Sequence, residues 1–330
     1  CELLIYVGCV MALFPLVYAL LADDLRQTLA HILNNQLGFM VVAVGIGTPL
    51  AICGAAAQAF AHVIYKGLLF MAMGAIMFRT GTSRQSELGG LRSAMPWTRL
   101  FCVIGAFSVF PLNCGFVTKA LVLSAVSHEH LDNVWLVLIA AAAGAFLLGG
   151  LKIVYFPFFA QPQANTKSRL SEVGEAPLHM RVAMGLSAVL CLLIGIFPQT
   201  LYRALPYPDA VADYHVYSID HIVTQLQLLS FTTLGFACAL IWNFYPQTVT
   251  GTLLDVDWLY RKLIPQMLEF VAATLRARNP GPRLHESAQE FWKFMIRQCS
   301  EAGPYGRTVS TNAMAIFAIT LLAVYLLVYY

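Results

Sequence analysis

Long continuous apolar runs, separated by short polar connections, dominate the chain. Eight of them reach the roughly 20 residues that a helix needs to cross a bilayer. They cover roughly 3–21, 28–47, 50–78, 100–126, 133–156, 182–201, 222–245 and 312–330. Because the apolar residues are continuous and do not alternate, a closed β-barrel is excluded. The pattern predicts an all-α polytopic membrane protein with about eight transmembrane helices. In the fourth run the sequence Phe110-Pro111-Leu112-Asn113-Cys114-Gly115 predicts a helix break at Pro111 and Gly115, since proline lacks a backbone donor and glycine is a weak helix former.

Residues 246–311 contain no spanning run. Asp255–Arg278 places Leu259, Leu263, Met267, Val271 and Leu275 on one face, and Glu286–Cys299 repeats the pattern with Phe291, Trp292 and Met295. These predict amphipathic helices lying in the membrane interface or against a neighbouring subunit.

Composition agrees: 59% of residues are hydrophobic, 11% are charged, and the mean hydropathy is +0.70. A soluble domain carries about 25% charged residues. Charge placement adds an orientation. Of 20 lysines and arginines, 16 fall on one side when the eight spans alternate, Arg203 falls on the other, and Lys66, Lys119 and Lys152 lie within spans. The positive-inside rule predicts that the basic loops are cytoplasmic. The net charge of +3 thus reflects topology, and nothing points to nucleic acid. No charged leader region precedes the first run, so that run is not a signal peptide. The chain opens at Cys1 without an initiator Met, and we expect a preceding piece. The eight cysteines show no paired metal spacing and read as small apolar packing residues.

The intramembrane cations are the most informative residues. Lys66 lies about two residues, or about 3 Å, from the centre of the third run, where a lysine costs roughly 2.5–3.5 kcal/mol on translocon scales. It must therefore face protein or water. His62, one turn earlier, shares its helix face, and histidine can shuttle protons near neutral pH. Lys119 follows the predicted break, and discontinuous helices build ion sites in transporters. These three are the candidate proton relay. Lys152 sits near the basic end of its run, within reach of the interface by snorkelling. Arg26, permanently charged, opens the second span. His31, Asn34, Asn35 and Gln36 make that span polar, either lining a hydrated path or bonding to neighbouring helices, and Gln58 lies two turns before Lys66. Lys152, Arg26, His31 and Gln58 are candidate secondary relay or tuning groups. His128, Glu129, His130 and Asp132 form a polar turn after the fourth span, read as solvated surface or as an exit mouth. All 17 acidic residues lie in loops or at span ends, so the buried lysines have no carboxylate partner at their depth in this chain. No phosphate loop, dinucleotide glycine pattern, haem ligand pair or cysteine cluster is present. No cofactor, metal or catalytic chemistry is expected.

The succession Asp24-Leu25-Arg26 to Gln36-Leu37-Gly38-Phe39-Met40, His62-Val63-Ile64-Tyr65-Lys66-Gly67-Leu68-Leu69-Phe70, Gly89-Gly90-Leu91, Pro96, and Pro111 to Gly115-Phe116-Val117-Thr118-Lys119 resembles the antiporter-like subunit family. That family is shared by respiratory complex I and the multisubunit Mrp-type sodium/proton antiporters. The resemblance is nearest to the antiporters' D subunit and covers about residues 20–125. Asp257-Trp258-Leu259-Tyr260 is similar to a segment near the end of the long complex I subunit. The resemblance implies a five-helix transporter repeat with a broken helix over 1–157, additional transmembrane helices over 158–245, the interfacial segment 246–311 and a C-terminal helix over 312–330. It also implies that the family's first repeat, with its glutamate–lysine pair, lies outside these residues. Lys66 matches the family's central lysine, His62 the histidine beside it, and Lys119 the lysine after the break. Arg26 stands where many members have lysine, and Gln58 where several have a further histidine. Phe110 replaces a frequent proline.

The expected function is that of a proton-conducting subunit in a multisubunit sodium/proton antiporter of the plasma membrane. The alternatives are a proton-pumping subunit of a complex I-like NADH-quinone oxidoreductase and a scaffold subunit without transport of its own. Expected partners are other membrane subunits, the lipid bilayer, protons and Na+.

Overall fold

The computed structural model describes residues 1–161, 173–212, 214–242, 244 and 245, with isolated positions at 266, 267 and 320. Two compact units, Cys1–Leu253 and Leu254–Tyr330, divide the chain, and the account below concerns the first. The expected amphipathic segment 246–311 and terminal span 312–330 lie outside the described residues.

Helices α1 (Glu2–Leu21), α2 (Leu25–Ile46) and α3 (Pro49–Thr80) are each continuous. The fourth crossing is split into α4 (Pro96–Ala106) and α5 (Cys114–His128). The fifth comprises α6 (Asp132–Phe146), a π-helical segment (Leu147–Lys152) and α7 (Ile153–Phe158). Helix α8 (Leu178–Ile196) leads through the short α9 (Pro198–Tyr202) to α10 (Ile219–Ile241). Among the described residues, six continuous helical stretches are long and apolar enough to span a membrane, and α4 with α5 makes a further, interrupted crossing. Only an isolated bridge between Asp24 and Arg84 has β geometry there. The all-helical expectation therefore holds, and seven of the eight expected runs correspond to crossings. The fifth is not the plain helix expected over 133–156, because Gly149-Gly150 falls inside a π-helical turn.

Local sequence explains the boundaries. Asp24 caps α2 by accepting from the Arg26 amide at 2.7 Å, and Gly47, in left-handed geometry (φ 80°), ends it before Pro49 opens α3. Helices α1 and α2 pack closely because small residues face each other. A Cβ on Gly38 would lie 2.5 Å from the Ala12 backbone nitrogen. Helix α3 has 32 residues, about 48 Å at 1.5 Å per residue, and packs against α2, α4, α5 and α8. Its buried stripe carries Gln58, His62, Tyr65 and Lys66 among apolar neighbours.

Outward faces are apolar: Leu186, Val189, Leu190 and Leu193 on α8 and Phe231 and Leu234 on α10 are exposed, as lipid-facing helices require. At the basic end the connection after α3 is tied down. The Ser86 hydroxyl donates to Asp23 Oδ2 at 2.8 Å, and Glu175 accepts from the Trp97 amide at 2.8 Å and the Thr98 hydroxyl at 2.6 Å. Arg26, Arg79, Arg84, Arg92, Arg99 and Arg181 lie at this end or in its connections, while Arg203 follows α9 at the other.

Candidate functional site

The predicted break is where the polar interior begins. Residues 107–113 leave helical geometry between α4 and α5, with Leu112 at φ 71°. A break exposes backbone groups that lipid cannot satisfy, and here side chains do so. Asn113 caps α5 through Oδ1, which accepts from the Cys114 amide at 3.2 Å. Its Nδ2 donates back to the carbonyls of Ile104 (3.2 Å) and Phe107 (3.3 Å). Gly115 allows a close approach, since a Cβ there would lie 2.8 Å from the Ser108 oxygen.

One turn into α5, Lys119 is 3% exposed, and Lys66 in the middle of α3 is 5% exposed. Both line a single interior cavity of about 20 Å³ together with Gln36, Tyr65, Ser108 and Gly149. On this measure a water occupies roughly 10–15 Å³, so the cavity has room for about one. Lys119 Nζ stands 5.1 Å from the centre of the Phe39 ring, and Lys66 Nζ 5.9 Å from that of Tyr65, distances at which a ring face attracts a cation. The π-helical segment supplies the opposite wall. Gly149 faces Lys66 so closely that a Cβ would lie 3.4 Å from Nζ.

A hydrogen-bonded chain of neutral side chains runs beside the lysines. The Thr118 hydroxyl donates to Gln58 Oε1 at 2.5 Å, and Gln58 Nε2 donates to Gln36 Oε1 at 3.0 Å. Gln36 Nε2 then donates to Asn35 Oδ1 at 2.5 Å, and Asn35 Nδ2 donates to the Ala12 carbonyl. The Tyr65 hydroxyl joins by donating to Gln36 Oε1 at 3.2 Å. His62 stacks edge-on to Tyr65 at 5.4 Å, and its buried Nε2 has no hydrogen-bond partner among the described residues. It does not line the cavity of the two lysines.

The other candidates are placed differently. Lys152 does not snorkel. It is fully buried, and Nζ donates to the carbonyls of Ala19 (2.9 Å), Leu20 (3.2 Å) and Ala22 (2.8 Å). It thereby caps the C-terminus of α1, where a cation also meets the negative end of the helix dipole. Arg26 is exposed, with Nη1 3.1 Å from the Met77 sulfur, and it does not line the cavity. His31 is half-buried, 5.6 Å from the Tyr18 ring, and also lies off the cavity. Asn34 is exposed, so it does not line an interior path, whereas Asn35 and Gln36 are buried. Gln58 is wholly occupied by protein partners. Three participants, Tyr65, Thr118 and Ser108, went unpredicted. Tyr65 and Thr118 directly precede the two lysines, and that adjacency was the available signal.

Residues 2–146, which include α1 to α6 and both lysines of the cavity, match the family described as NADH:quinone oxidoreductase/Mrp antiporter, transmembrane. Over that stretch, somewhat less than half of the chain, it resembles the antiporter-like membrane subunits. Among curated relatives, hydrogenase-4 component B of Escherichia coli (strain K12) is 29% identical over 217 residues, covering 59% of this chain and 32% of the relative. NADH-ubiquinone oxidoreductase chain 5 of Dugong dugon is 26% identical over 306 residues, covering 81% of this chain and 48% of the relative. The chain thus spans about a third to a half of the length of these antiporter-like relatives. A chain of the Mrp complex from Dietzia sp. DQ12-45-1b shares the fold, with a TM-score of 0.57 at 19% identity, over 69% of this chain and 49% of that one.

Proposed function

We propose that this antiporter-like subunit passes protons between Lys66 and Lys119 through the cavity they share, with His62 as an adjoining proton-holding group. The observation that carries the proposal is geometric. Two lysines from different helices, one of them just past a helix break, open onto a cavity with room for one water. A lysine can give up and regain a proton where an arginine cannot, and one bridging water suffices for transfer between amines. The Thr118–Gln58–Gln36–Asn35 chain supports this by fixing the walls with neutral hydrogen bonds. It leaves no carboxylate among the described residues to trap the ammonium groups.

The assembly we favour is a multisubunit membrane complex in the plasma membrane, with the basic loops in the cytoplasm because of the charge asymmetry. In it, proton movement is coupled to a monovalent cation such as Na+, as in an Mrp-type antiporter. A specific observation favours a second reading, a subunit of a complex I-like oxidoreductase: the match to NADH-ubiquinone oxidoreductase chain 5 extends over 81% of the chain, well past the shared repeat. In both readings the helices α8 and α10 are additional to the repeat.

The test uses the full-length protein in its assembled complex. Lys66→Ala and Lys119→Ala should each abolish coupled proton transport in vesicles while the complex still assembles. Normal transport with either substitution refutes the relay, and normal transport with both would leave a scaffold role.

A further inference from the structure

At the basic end of the bundle, Arg92 and Arg99 are fixed on one corner. Arg99 lies in the first turn of α4, and its Nη1 donates to the Arg92 carbonyl at 3.1 Å. Arg92 belongs to the connection before α4, and its guanidinium carbon stands 5.7 Å from the centre of the Phe159 ring, just past α7. That connection is docked on the same end of α7. The Gly90 amide donates to the Ala160 carbonyl at 2.9 Å, and the Leu91 amide to the Pro157 carbonyl at 3.1 Å. The connection, α4 and α7 thus meet where the two cations are held.

Neither guanidinium is neutralised by a carboxylate there. Among the described residues the one ion pair joins Arg84 to Glu87 at 3.4 Å. Glu175, which meets the start of α4, has both oxygens occupied by the Trp97 amide, the Thr98 hydroxyl and the Ala176 amide. Two like charges on one corner favour an anion between them, and the planar fork of arginine matches the oxygens of a phosphate. The level is that of membrane headgroups. Trp97, in the same turn of α4, is exposed, and an amphipathic indole prefers the membrane–water interface. Leu100 and Phe159 are exposed as well, so apolar surface for acyl chains adjoins the cations. A free inorganic anion would use the arginines and leave that surface uncovered.

We propose that Arg92 and Arg99 seat the phosphate of an anionic phospholipid whose chains lie over Leu100 and Phe159, and that this lipid clamps the connection to α4 and α7. Basic pockets beside membrane helices bind such headgroups. The seat is independent of the relay reading, since neither arginine lines the lysine cavity.

The experiment uses the full-length protein in its complex, purified in a neutral detergent and depleted of lipid. Hydrogen–deuterium exchange of the amides at residues 89–99 is followed as phosphatidylglycerol is added. We expect exchange to slow at least threefold, because a lipid that bridges three segments must leave before they separate. Phosphatidylcholine and inorganic phosphate should each leave exchange unchanged. Arg92→Gln with Arg99→Gln should abolish the protection, whereas Arg84→Gln, which removes a charge at the same end, should keep it. If the glutamine pair does not assemble, Arg92→Lys with Arg99→Lys keeps the charge without the fork and should raise the half-saturating lipid concentration at least fivefold. No protection by phosphatidylglycerol, or protection unchanged in the substituted pair, overturns the proposal. So does protection by phosphatidylcholine, which means a non-specific lipid annulus, or by phosphate alone, which means a free-anion site. Equal loss in Arg84→Gln would show a diffuse field in place of a seat. Protection already present before lipid is added, and lost in the substituted pair, would assign the corner to a neighbouring subunit and sink the idea too.

Discussion

The Thr118 hydroxyl donates to Gln58 Oε1 at 2.5 Å, and this bond locks the helix after the break onto the long central helix. It sets their register one residue before Lys119 on α5 and two turns before Lys66 on α3. The amide's other end is held as well, by Gln36 Oε1 at 3.0 Å and the Tyr65 hydroxyl at 3.4 Å, so a single glutamine fixes three helices around the cavity.

Thr118→Val should therefore destabilise the protein by about 1–2 kcal/mol. Hydrogen bonds between membrane helices average about 0.6 kcal/mol with a maximum near 1.7, and a buried acceptor left unpaired adds its own cost. Gln58→Leu should cost at least as much, because it removes the bonds to Gln36 and Tyr65 as well as the one to Thr118. The double variant should cost less than the sum of the two, since one bond is lost in both. Thermal unfolding of the purified complex measures all three. Strict additivity would show that the bond does not couple the helices.

Lys152 separates structure from transport. Its three carbonyl acceptors belong to the last turn and C-cap of α1, and Lys152→Met removes the donor they share. We expect a stability loss of about 1–3 kcal/mol and a lower yield of complex, with near-normal transport per assembled complex. Transport lost without any change in stability would make Lys152 a relay group after all.

The sequence made the crossings, the break and the two central lysines legible, because each rests on a local signal: run length, Pro111 with Gly115, and charge within apolar sequence. What it hid depended on tertiary direction. The burial of Lys152 was illegible because a lysine near the end of a span can equally reach outward. Only the packing of α1 against the π-helical segment decides its direction. Asn34 and Asn35 are adjacent and chemically alike, yet one faces out and one in, a consequence of helix rotation that span-level polarity does not encode. Gln58 reads as a relay or tuning group because its partners Thr118 and Gln36 lie 60 and 22 residues away. The contact of Ser124 with His221 joins residues 97 apart, and the polar turn at His128–Asp132 gave only a hint of the cavity they share.

Lys119→Arg offers a sharper test of proton exchange than removal of the side chain. Arginine keeps the cation and its attraction to the Phe39 ring, but it does not release its proton. Its planar fork is also larger than a one-water cavity accommodates without movement. Proton transport should fall at least tenfold although the charge is retained. Vesicle acidification measured beside complex yield checks this, and transport near the normal rate would mean that Lys119 acts only as a fixed charge.

Two glycines show how tightly the break is built in. A Cβ on Gly195 of α8 would lie 2.2 Å from the Leu112 carbonyl oxygen and 2.5 Å from the Asn113 Cα. The carbonyl of Gly195 also accepts a hydrogen bond from the Tyr217 hydroxyl. Gly195→Ala must push α8 or the break aside, because the obstructing atoms are backbone. Movement there would disturb Asn113, which caps α5 and satisfies Ile104 and Phe107. We expect a loss of more than about 3 kcal/mol, beyond the usual range for one substitution, seen as failure to assemble. Gly67, beside Lys66 in sequence, is the control: nothing lies within 4 Å of a Cβ built there. Gly67→Ala should be neutral or stabilise by up to about 1 kcal/mol through helix propensity, with transport intact. If Gly195→Ala assembles as well as Gly67→Ala, then α8 does not press on the break and the cavity walls are looser than described.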